Sequence, residues 1–246
     1  CRLLTYALNG NADFMGDDIH YASNHDFVGI EFTIHGMLDG RVRVGMPGKF
    51  NADNALAALA VCTLALSGGS GVLDDHTKQA ILGSLVKVRV DGRMEIAHVS
   101  KKCSVIVDYA HNAVSMESLL TTLRDYHPKR LVCVFGCGGN RARDRRYSMG
   151  EIGGKMADLC IITADNPRFE KNEDIIKDIE VGLAKTDGTY LVIPDRREAI
   201  FYAIRNAEEG DMIAIIGKGH EDYQEIEGVK HHFLDREVVE EAVNNV

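Results

Sequence analysis

Residues 131–163 of the chain read LVCVFGCGGNRARDRRYSMGEIGGKMADLCIIT. The two ends of this stretch, residues 131–135 and 159–163, are continuous apolar runs with the length of a buried β-strand. Between them lie a glycine-containing polar segment and a helical pattern over residues 146–156. Because parallel strands need a long crossover connection, which is usually a helix, this order predicts two parallel strands joined by a helix.

The same alternation of apolar strand and amphipathic helix continues on both sides of this unit. Further strands are predicted at residues 104–107, 190–193 and 212–216, and further helices at residues 115–125, 175–183 and 198–207. Strands that are apolar on both faces occur in sheets covered by helices on each side. From about residue 96 onward, the sequence therefore predicts an α/β, Rossmann-like domain with a mostly parallel sheet.

Residues 1–95 follow a different pattern, with short strand-like segments and tight turns. Segments 26–31 and 32–35 favour strands, and Asp39-Gly40 is a favourable hairpin turn. This change of pattern predicts two domains, one over residues 1–95 and the other over residues 96–246.

The clearest helix of the first domain is rich in alanine and leucine and covers residues 52–68. Asn51 or Asp53 is a suitable N-cap for it, and Gly68 is a suitable end. A second helix is predicted near residues 75–85.

The composition restricts the class of protein. The chain has 246 residues, of which 45% are apolar and 26% charged, and its net charge is −9. This balance excludes disordered and fibrous proteins. There is neither a membrane-spanning apolar run nor a signal-peptide core, and an acidic chain without a basic block is a poor nucleic-acid binder. The six cysteines stand mostly in apolar segments, which predicts buried free thiols in a cytoplasmic protein.

Polar and glycine residues gather just after the predicted strands. In parallel sheets, ligands bind beyond the carboxyl ends of the strands, so these segments are the candidate site. They are residues 108–112, 136–141, 165–168, 194–196 and 217–221. Each segment alone could be an ordinary turn or a solvated surface, and the sequence contains neither a GxxxxGK[ST] phosphate loop nor a GxGxxG fingerprint. The concentration of five such segments on one edge favours a binding site.

Several motifs occur in a fixed order along the chain. They are KFNADNALAA (49–58), DGRMEI (91–96), VDYAH (107–111), VFGCGGNR (134–141), MGEIGGKMAD (149–158), TADNPRFE (163–170), DRREAI (195–200) and GKGHEDYQ (217–224). Together they resemble the Mur ligase family over essentially the whole chain. Within that family they resemble the MurE branch, the UDP-N-acetylmuramoyl-tripeptide synthetases of peptidoglycan synthesis.

The resemblance implies a division into domains and a function. Residues 1–95 would form the end of a central ATP-binding domain, and residues 96–246 a C-terminal Rossmann-like domain. The family's first domain, its phosphate loop and its carbamylated lysine would then precede Cys1. The implied activity is ATP- and Mg²⁺-dependent ligation in the cytoplasm. It would add meso-diaminopimelate to UDP-N-acetylmuramoyl-L-alanyl-D-glutamate through an acyl phosphate.

The resemblance also implies which residues bind which substrate. The diaminopimelate pocket would contain Arg141, Asp165, Asn166, Arg168, Gly217 and Glu221. The nucleotide would contact Asn51, Asn54, Arg93, Asp108, His111 and Arg145. No catalytic residue and no metal ligand is assigned within this chain. Asn140 and Tyr147 depart from the family's usual acid and proline, which affects the nucleotide assignments more than the diaminopimelate pocket.

The chemistry of the assigned residues fits the implied substrate. The distal end of diaminopimelate carries a carboxylate, which the guanidinium fork of an arginine binds with two hydrogen bonds. Lysine has no distal carboxylate, so an arginine at position 168 favours diaminopimelate. Two alternatives remain open: the same ligase acting on L-lysine, or a non-catalytic module that binds an amino acid or a nucleotide. On either ligase interpretation, this chain alone is expected to be inactive, because nothing in it cradles the β- and γ-phosphates.

Overall fold

The computed structural model describes residues 3–245, which form two compact units that meet between Arg89 and Val90. The sequence placed the boundary near residue 95. The strand Glu95–Val99 lies close to that point and pairs with the sheet of the second unit, so the structural boundary falls earlier. That the first unit is the tail of an ATP-binding domain stays a prediction.

The first unit contains one four-stranded sheet. Its strands are β1 (Tyr6–Leu8), β2 (Phe14–Asn24), β3 (Phe27–Gly36) and β4 (Gly40–Val44), in that spatial order. β1 is parallel to β2, and β2, β3 and β4 form an antiparallel meander. The helices are α1 (Phe50–Leu66) and α2 (Asp75–Ser84), followed by a 3-10 turn at Leu85–Lys87. The alternating apolar residues of β3 pack with Leu56 and Leu59 of α1 to form the core of this unit.

The predicted N-cap of α1 is wrong. The helix begins at Phe50, after Lys49, and has no side-chain cap. Asn51 lies in the first turn of the helix, where its Nδ2 donates to the carbonyl of Pro47 at 2.7 Å. The predicted end is confirmed, because Gly68 follows the last turn with a left-handed φ of +61°.

The second unit contains a six-stranded sheet. Its strands are β5 (Glu95–Val99), β6 (Cys103–Asp108), β7 (Arg130–Phe135), β8 (Leu159–Ile162), β9 (Tyr190–Val192) and β10 (Asp211–Ile216). The spatial order is β5-β6-β10-β7-β8-β9, and every pair except β5–β6 is parallel. The predicted mostly parallel sheet is therefore confirmed, with β5 added as an antiparallel edge strand that the sequence did not predict.

Helices cover both faces of this sheet, as predicted. They are α3 (Ala113–Arg124), α4 (Asp144–Met156), α5 (Asn172–Leu183), α6 (Arg196–Arg205) and α7 (Asp235–Asn244). α6 and α7 pack on one face, against side chains such as Val132 and Val134 of β7. On the other face, Gly153 of α4 approaches Phe135 and Cys160 so closely that a Cβ would lie 3.1 Å and 3.0 Å from their side chains. The sequence did not predict α7.

Glycines let α4 and α5 approach each other closely. A Cβ on Gly150 would lie 2.1 Å from the carbonyl oxygen of Ile179, and a Cβ on Gly182 would lie 1.9 Å from that of Tyr147. No side chain fits at those distances, so the two helices meet backbone to backbone. This contact explains Gly150 in the segment MGEIGGKM (149–156), and packing against the sheet explains Gly153, so neither glycine requires a ligand.

Two further expectations concern membranes and cysteines. Within the described residues 3–245, no helix has both the length and the apolar character that crossing a bilayer requires. Cys103, Cys133, Cys137 and Cys160 are buried free thiols, as the sequence predicted. Cys62 differs from that prediction, because its side chain points outward from α1 and is exposed.

Candidate functional site

Four loops that follow strands of the second unit surround one cavity of about 200 Å³. They follow β6, β7, β8 and β10, whose parallel pairing brings their carboxyl ends to the same edge of the sheet. The loop after β9 does not contribute to this cavity. The lining residues are Tyr109, His111, Gly136, Cys137, Gly138, Arg141, Arg145, Asp165, Asn166, Arg168, Gly217 and Glu221.

The structure brings together all six residues that the resemblance assigned to the amino-acid pocket. They are Arg141, Asp165, Asn166, Arg168, Gly217 and Glu221. Of the six residues assigned to the nucleotide, His111 and Arg145 also line the cavity, whereas Arg93 and Asp108 do not. Asn51 and Asn54 belong to the first unit, where the Nδ2 of Asn54 donates to the Oδ1 of Asn51 at 3.1 Å.

A buried carboxylate lies at the centre of the cavity. Asp165 is only 6% exposed, and its Oδ1 is buried without a hydrogen-bond partner among the described residues. Burial raises the pKa of Asp165, and the nearby positive charges of Arg196 and Lys218 partly oppose that rise. Gly217 has a left-handed φ of +114°, and a Cβ there would lie 3.0 Å from Oδ2 of Asp165. Glycine at position 217 therefore keeps the approach to this carboxylate open.

Asn166 and Glu221 form a second polar group beside Asp165. The Nδ2 of Asn166 donates to Oε2 of Glu221 at 2.9 Å, and its Oδ1 accepts from the backbone N–H of Glu225 at 2.9 Å. The hydroxyl of Tyr109 donates to Oε1 of Glu221 at 3.3 Å. The wall made by Asp165 and Glu221 carries two carboxylates, which suits an ammonium group.

Arg168 is held in a fixed position at the cavity. Its Nε donates to Oε2 of Glu225 at 3.2 Å, and its Nη1 donates to the carbonyl of Gly139 at 2.8 Å. Its backbone has a left-handed φ of +53° and forms a β-bridge with Ile226. A guanidinium oriented in this way offers its remaining N–H groups in a fork that matches a carboxylate.

The bridge to Ile226 comes from a small hairpin that the sequence did not predict. Its strands are β11 (Tyr223–Ile226) and β12 (Val229–His232), which pair antiparallel across a turn at Glu227-Gly228. Its side chains are polar and largely exposed, so they show no apolar periodicity. The hairpin nevertheless supplies Glu225, which orients Arg168.

The remaining nucleotide candidates have local partners. The two carboxylate oxygens of Asp108 accept the backbone N–H groups of Met94 and Ala110, both at 2.7 Å. Burial raises the pKa of Asp108. The guanidinium of Arg93 lies 4.8 Å above the ring of Tyr109, and the ring of His111 meets that of Tyr109 edge-on at 4.8 Å. These contacts give Asp108 a structural role, and the assignment of the group to a nucleotide stays a prediction.

Three residues near the cavity were not singled out by the sequence: Lys218, Tyr109 and Glu225. Lys218 is completely buried, and its ammonium lies 3.2 Å from Oδ1 of Asn166 and 3.5 Å from Oε2 of Glu221. The only sequence signal for it is its place between two glycines directly after an apolar strand.

We expect Asp165→Asn to stabilise the protein at pH 7. Burial raises the pKa of Asp165 above its ordinary value of 3.8, so the folded protein holds this proton more readily than the unfolded chain. The ionised carboxylate therefore costs stability above its folded pKa, and that cost vanishes as the pH falls below 3.8. Urea unfolding should show a gain of about 0.5–2 kcal/mol at pH 7 that shrinks as the pH approaches 4.

The exposed Asp187 provides the control for this change, because Asp187→Asn removes the same charge without relieving any burial. It should leave the free energy of unfolding within about 0.5 kcal/mol of the original. An Asp165→Asn gain that is absent at pH 7, or that grows as the pH falls, would contradict the interpretation.

Comparisons with known proteins agree with this geometry. A family model described as "Mur ligase, glutamate ligase domain" matches residues 92–219. The chain is 41% identical over 243 residues to the UDP-N-acetylmuramoyl-L-alanyl-D-glutamate–2,6-diaminopimelate ligase of Clostridioides difficile, a match that covers 98% of this chain and 48% of the relative. The ligase of the same name from Aquifex aeolicus is 42% identical over 236 residues, and the match covers 44% of its length. The chain thus spans about half the length of the curated relatives it matches.

Solved structures give the same result. A structure titled as a UDP-N-acetylmuramoyl-L-alanyl-D-glutamate–2,6-diaminopimelate ligase superposes with a TM-score of 0.75 at 35% identity, covering 98% of this chain and 47% of that one. The UDP-N-acetylmuramate–alanine ligase of Thermotoga maritima superposes with a TM-score of 0.61 at 16% identity and shares the fold. The family model covers just over half of the chain, and the sequence similarity extends over nearly all of it. The resemblance seen in the motifs is therefore confirmed, and the chain belongs to the Mur ligase family.

Proposed function

We propose that this chain carries the amino-acid pocket of an ATP-dependent ligase that adds meso-diaminopimelate to UDP-N-acetylmuramoyl-L-alanyl-D-glutamate. Relatives of about 40% identity bear the name of that ligase. One observation supports the proposal above all others. The cavity combines an arginine held by two hydrogen bonds, Arg168, with a buried carboxylate, Asp165. The Oδ1 of Asp165 has no hydrogen-bond partner among the described residues and lies 4.0 Å from Nζ of Lys218. A zwitterionic amino-acid end carries a carboxylate for Arg168 and an ammonium for Asp165.

The two sides of the cavity suggest how that end would be held. Arg168, with Arg141 beside it, would bind the distal carboxylate, and Asp165 and Glu221 would bind the distal ammonium. The other amino group of diaminopimelate would attack an acyl phosphate that ATP forms on the glutamate carboxylate. A C–N bond forms, the bond from carbon to the phosphate oxygen breaks, and phosphate leaves. The contribution of this chain to the step is to hold the amine in place.

Fewer residues of this chain are suited to ATP and Mg²⁺ than to the amino acid. Arg145 and His111 line the cavity and can approach a phosphate. Asp108 is occupied by two backbone N–H groups, and residues 3–245 include no group of three His, Cys, Asp or Glu side chains suited to a metal. We therefore assign no Mg²⁺ ligand here, and ATP with its Mg²⁺ enters the proposal as a requirement of the complete reaction. A cytoplasmic location, where ATP is available, is part of the same proposal.

Titration calorimetry of the purified chain tests the proposal. We expect meso-diaminopimelate to bind and 1,5-diaminopentane to bind at least about tenfold more weakly, because the diamine has the ammonium end of lysine and no carboxylate for the arginine fork. We also expect the chain alone to form no amide from the dipeptide precursor, ATP and Mg²⁺. Equal binding of the two ligands would favour a pocket for an ammonium end alone, as a lysine-adding ligase requires. Binding of neither would contradict the proposed pocket, and amide formation by the chain alone would contradict its assignment as a part of the enzyme.

A further inference from the structure

A fully buried lysine lies beneath the lining of the cavity. The Nζ of Lys218 contacts Oδ1 of Asn166 at 3.2 Å and Oε2 of Glu221 at 3.5 Å, lies 4.0 Å from Oδ1 of Asp165, and donates to the carbonyl of Tyr223. Burying an ammonium is costly unless oxygens surround it, and here they do. This cost indicates that the positive charge of Lys218 acts on the neighbouring oxygens, because an apolar residue would fill the same space without the cost of burying a charge.

Lys218 contributes to the orientation of the Asn166 amide. An ammonium only donates hydrogen bonds, so the amide oxygen of Asn166 must face it. The backbone N–H of Glu225 donates to the same oxygen. The Nδ2 is consequently directed toward Oε2 of Glu221, where it donates at 2.9 Å. Lys218 therefore acts on the lining through the side chains of Asn166 and Glu221.

Lys218 also changes the charge of the cavity. The carboxylates near it are Asp165 and Glu221, whereas the arginines of the lining are Arg141, Arg145 and Arg168. The ammonium of Lys218 is the counter-charge of Glu221 and, together with Arg196, acts on Asp165. Without Lys218, this side of the cavity would be more negative, and the cavity would favour ligands that carry only positive charge.

We propose that Lys218 is a positioning residue that makes this cavity select a zwitterionic amino-acid end over an end that carries only an ammonium. This inference rests on the proposed function, since it concerns the same cavity. It assigns to Lys218 the positive charge that balances the carboxylates of Asp165 and Glu221. With that charge in place, the cavity can accept a ligand carboxylate beside a ligand ammonium.

The test compares two ligands and three variants of the chain by calorimetry. Lys218→Met removes both the donor and the charge, Lys218→Gln keeps a donor without the charge, and Lys230→Met is the control. Lys230 is an exposed lysine whose ammonium lies over the ring of Tyr223, 3.8 Å from the ring centroid. Circular dichroism and thermal melting establish that each variant is folded.

The comparison ligand is 1,5-diaminopentane, whose two ends carry only ammonium groups. We expect Lys218→Met and Lys218→Gln to weaken binding of meso-diaminopimelate at least about tenfold, and to weaken binding of 1,5-diaminopentane much less or even strengthen it. Lys230→Met should leave both affinities within about twofold. The ratio of the two affinities is the decisive readout, because a general loosening of the loop would weaken both ligands alike. An unchanged ratio in Lys218→Met would overturn the proposal.

A second measurement does not depend on the ligand, so it separates this inference from the proposed function. If the unaltered chain does not bind meso-diaminopimelate, the proposed function fails, and Lys218 is judged from the side-chain amide of Asn166 in ¹H–¹⁵N spectra of the free chain. We expect its protons to exchange with solvent about tenfold faster in Lys218→Met and at the original rate in Lys218→Gln and Lys230→Met. Unchanged exchange in Lys218→Met would show that Lys218 does not position this amide.

Discussion

Replacing Arg168 with asparagine is expected to weaken binding of meso-diaminopimelate about 30-fold or more. The guanidinium is fixed in advance by Glu225 and by the carbonyl of Gly139, so it loses little freedom when a carboxylate binds. Removing one partner of a desolvated charge pair typically costs about 2 kcal/mol or more, which corresponds to roughly 30-fold.

Asparagine is the appropriate replacement because Arg168 has a left-handed backbone. At a φ of +53°, arginine and alanine carry the same backbone strain, whereas asparagine tolerates this region, so the variant does not strain the loop further. Arg168→Lys separates charge from shape. It keeps the positive charge but loses the fork, so we expect it to recover only a small part of the lost affinity.

Calorimetry with both meso-diaminopimelate and 1,5-diaminopentane makes the Arg168 experiment specific. The diamine has no carboxylate, so Arg168→Asn should change its affinity by less than about threefold. The exposed Arg205, changed to alanine, serves as the control for loss of a positive charge and should leave both affinities unchanged. An equal loss of affinity for the two ligands would show that Arg168 maintains the structure of its loop and does not bind the ligand carboxylate.

The part of the site that could be predicted from the sequence depends on strand direction and on the motifs. The apolar runs of β6, β7, β8 and β10 are local signals, and their parallel order places the following loops at one edge. The convergence of Asp165, Arg168 and Gly217 on one cavity follows from that order together with the motifs. No knowledge of side-chain packing is needed for this conclusion.

The rest depends on polar contacts between distant segments. β5 and the β11–β12 hairpin were missed because their residues are partly polar and half-buried or exposed, so neither has a clear apolar period. The hairpin nevertheless positions Arg168. The N-cap of α1 was wrong for a local reason, because the Nδ2 of Asn51 donates to the carbonyl of Pro47, four residues earlier, and Asn51 lies inside the first turn.

Buried ions are the clearest case of what local patterns cannot show. Arg196 was noted in the sequence only as part of a polar loop, yet its side chain is completely buried. It pairs with Asp235, which is 39 positions further along the chain. Nothing in either local sequence indicates that the two residues meet.

Replacing Arg196 with methionine is expected to destabilise the second unit by about 3–5 kcal/mol. Its Nε and Nη2 donate to the two carboxylate oxygens of Asp235, each at 2.7 Å. The same guanidinium donates to the carbonyls of Ala164 and Ile216, at 3.2 Å and 3.0 Å. The variant would leave a buried carboxylate without a counter-charge and two carbonyls without donors, at the ends of β8 and β10 where the cavity begins.

Urea unfolding followed by circular dichroism measures this loss, and the neighbouring arginine provides a matched control. Arg197 forms an ion pair with Glu241 at the surface, where both side chains are more than 40% exposed. We expect Arg197→Met to cost no more than about 1 kcal/mol, because water replaces the lost partner. If Arg196→Met proved as mild as Arg197→Met, the buried pair would not be a major source of stability.

The double variant Arg196→Met/Asp235→Leu distinguishes the value of the pair from the cost of breaking it. The attraction between two buried ions is little larger than the cost of removing both from water. Removing both should therefore restore most of the stability that Arg196→Met loses. The double variant should therefore recover most of the lost stability, apart from the part due to the carbonyls of Ala164 and Ile216. Arg196 also lowers the pKa of the cavity carboxylate Asp165. Asp235 raises the pKa of Asp165 by less than Arg196 lowers it, so removing both raises that pKa by the difference, and binding of an ammonium ligand should be lost at a higher pH on acidification. Recovery of stability together with an unchanged pH dependence of binding would confine Arg196 to a structural role. Recovery of stability with binding lost at a higher pH would show that Arg196 is kept for the charge state of the cavity.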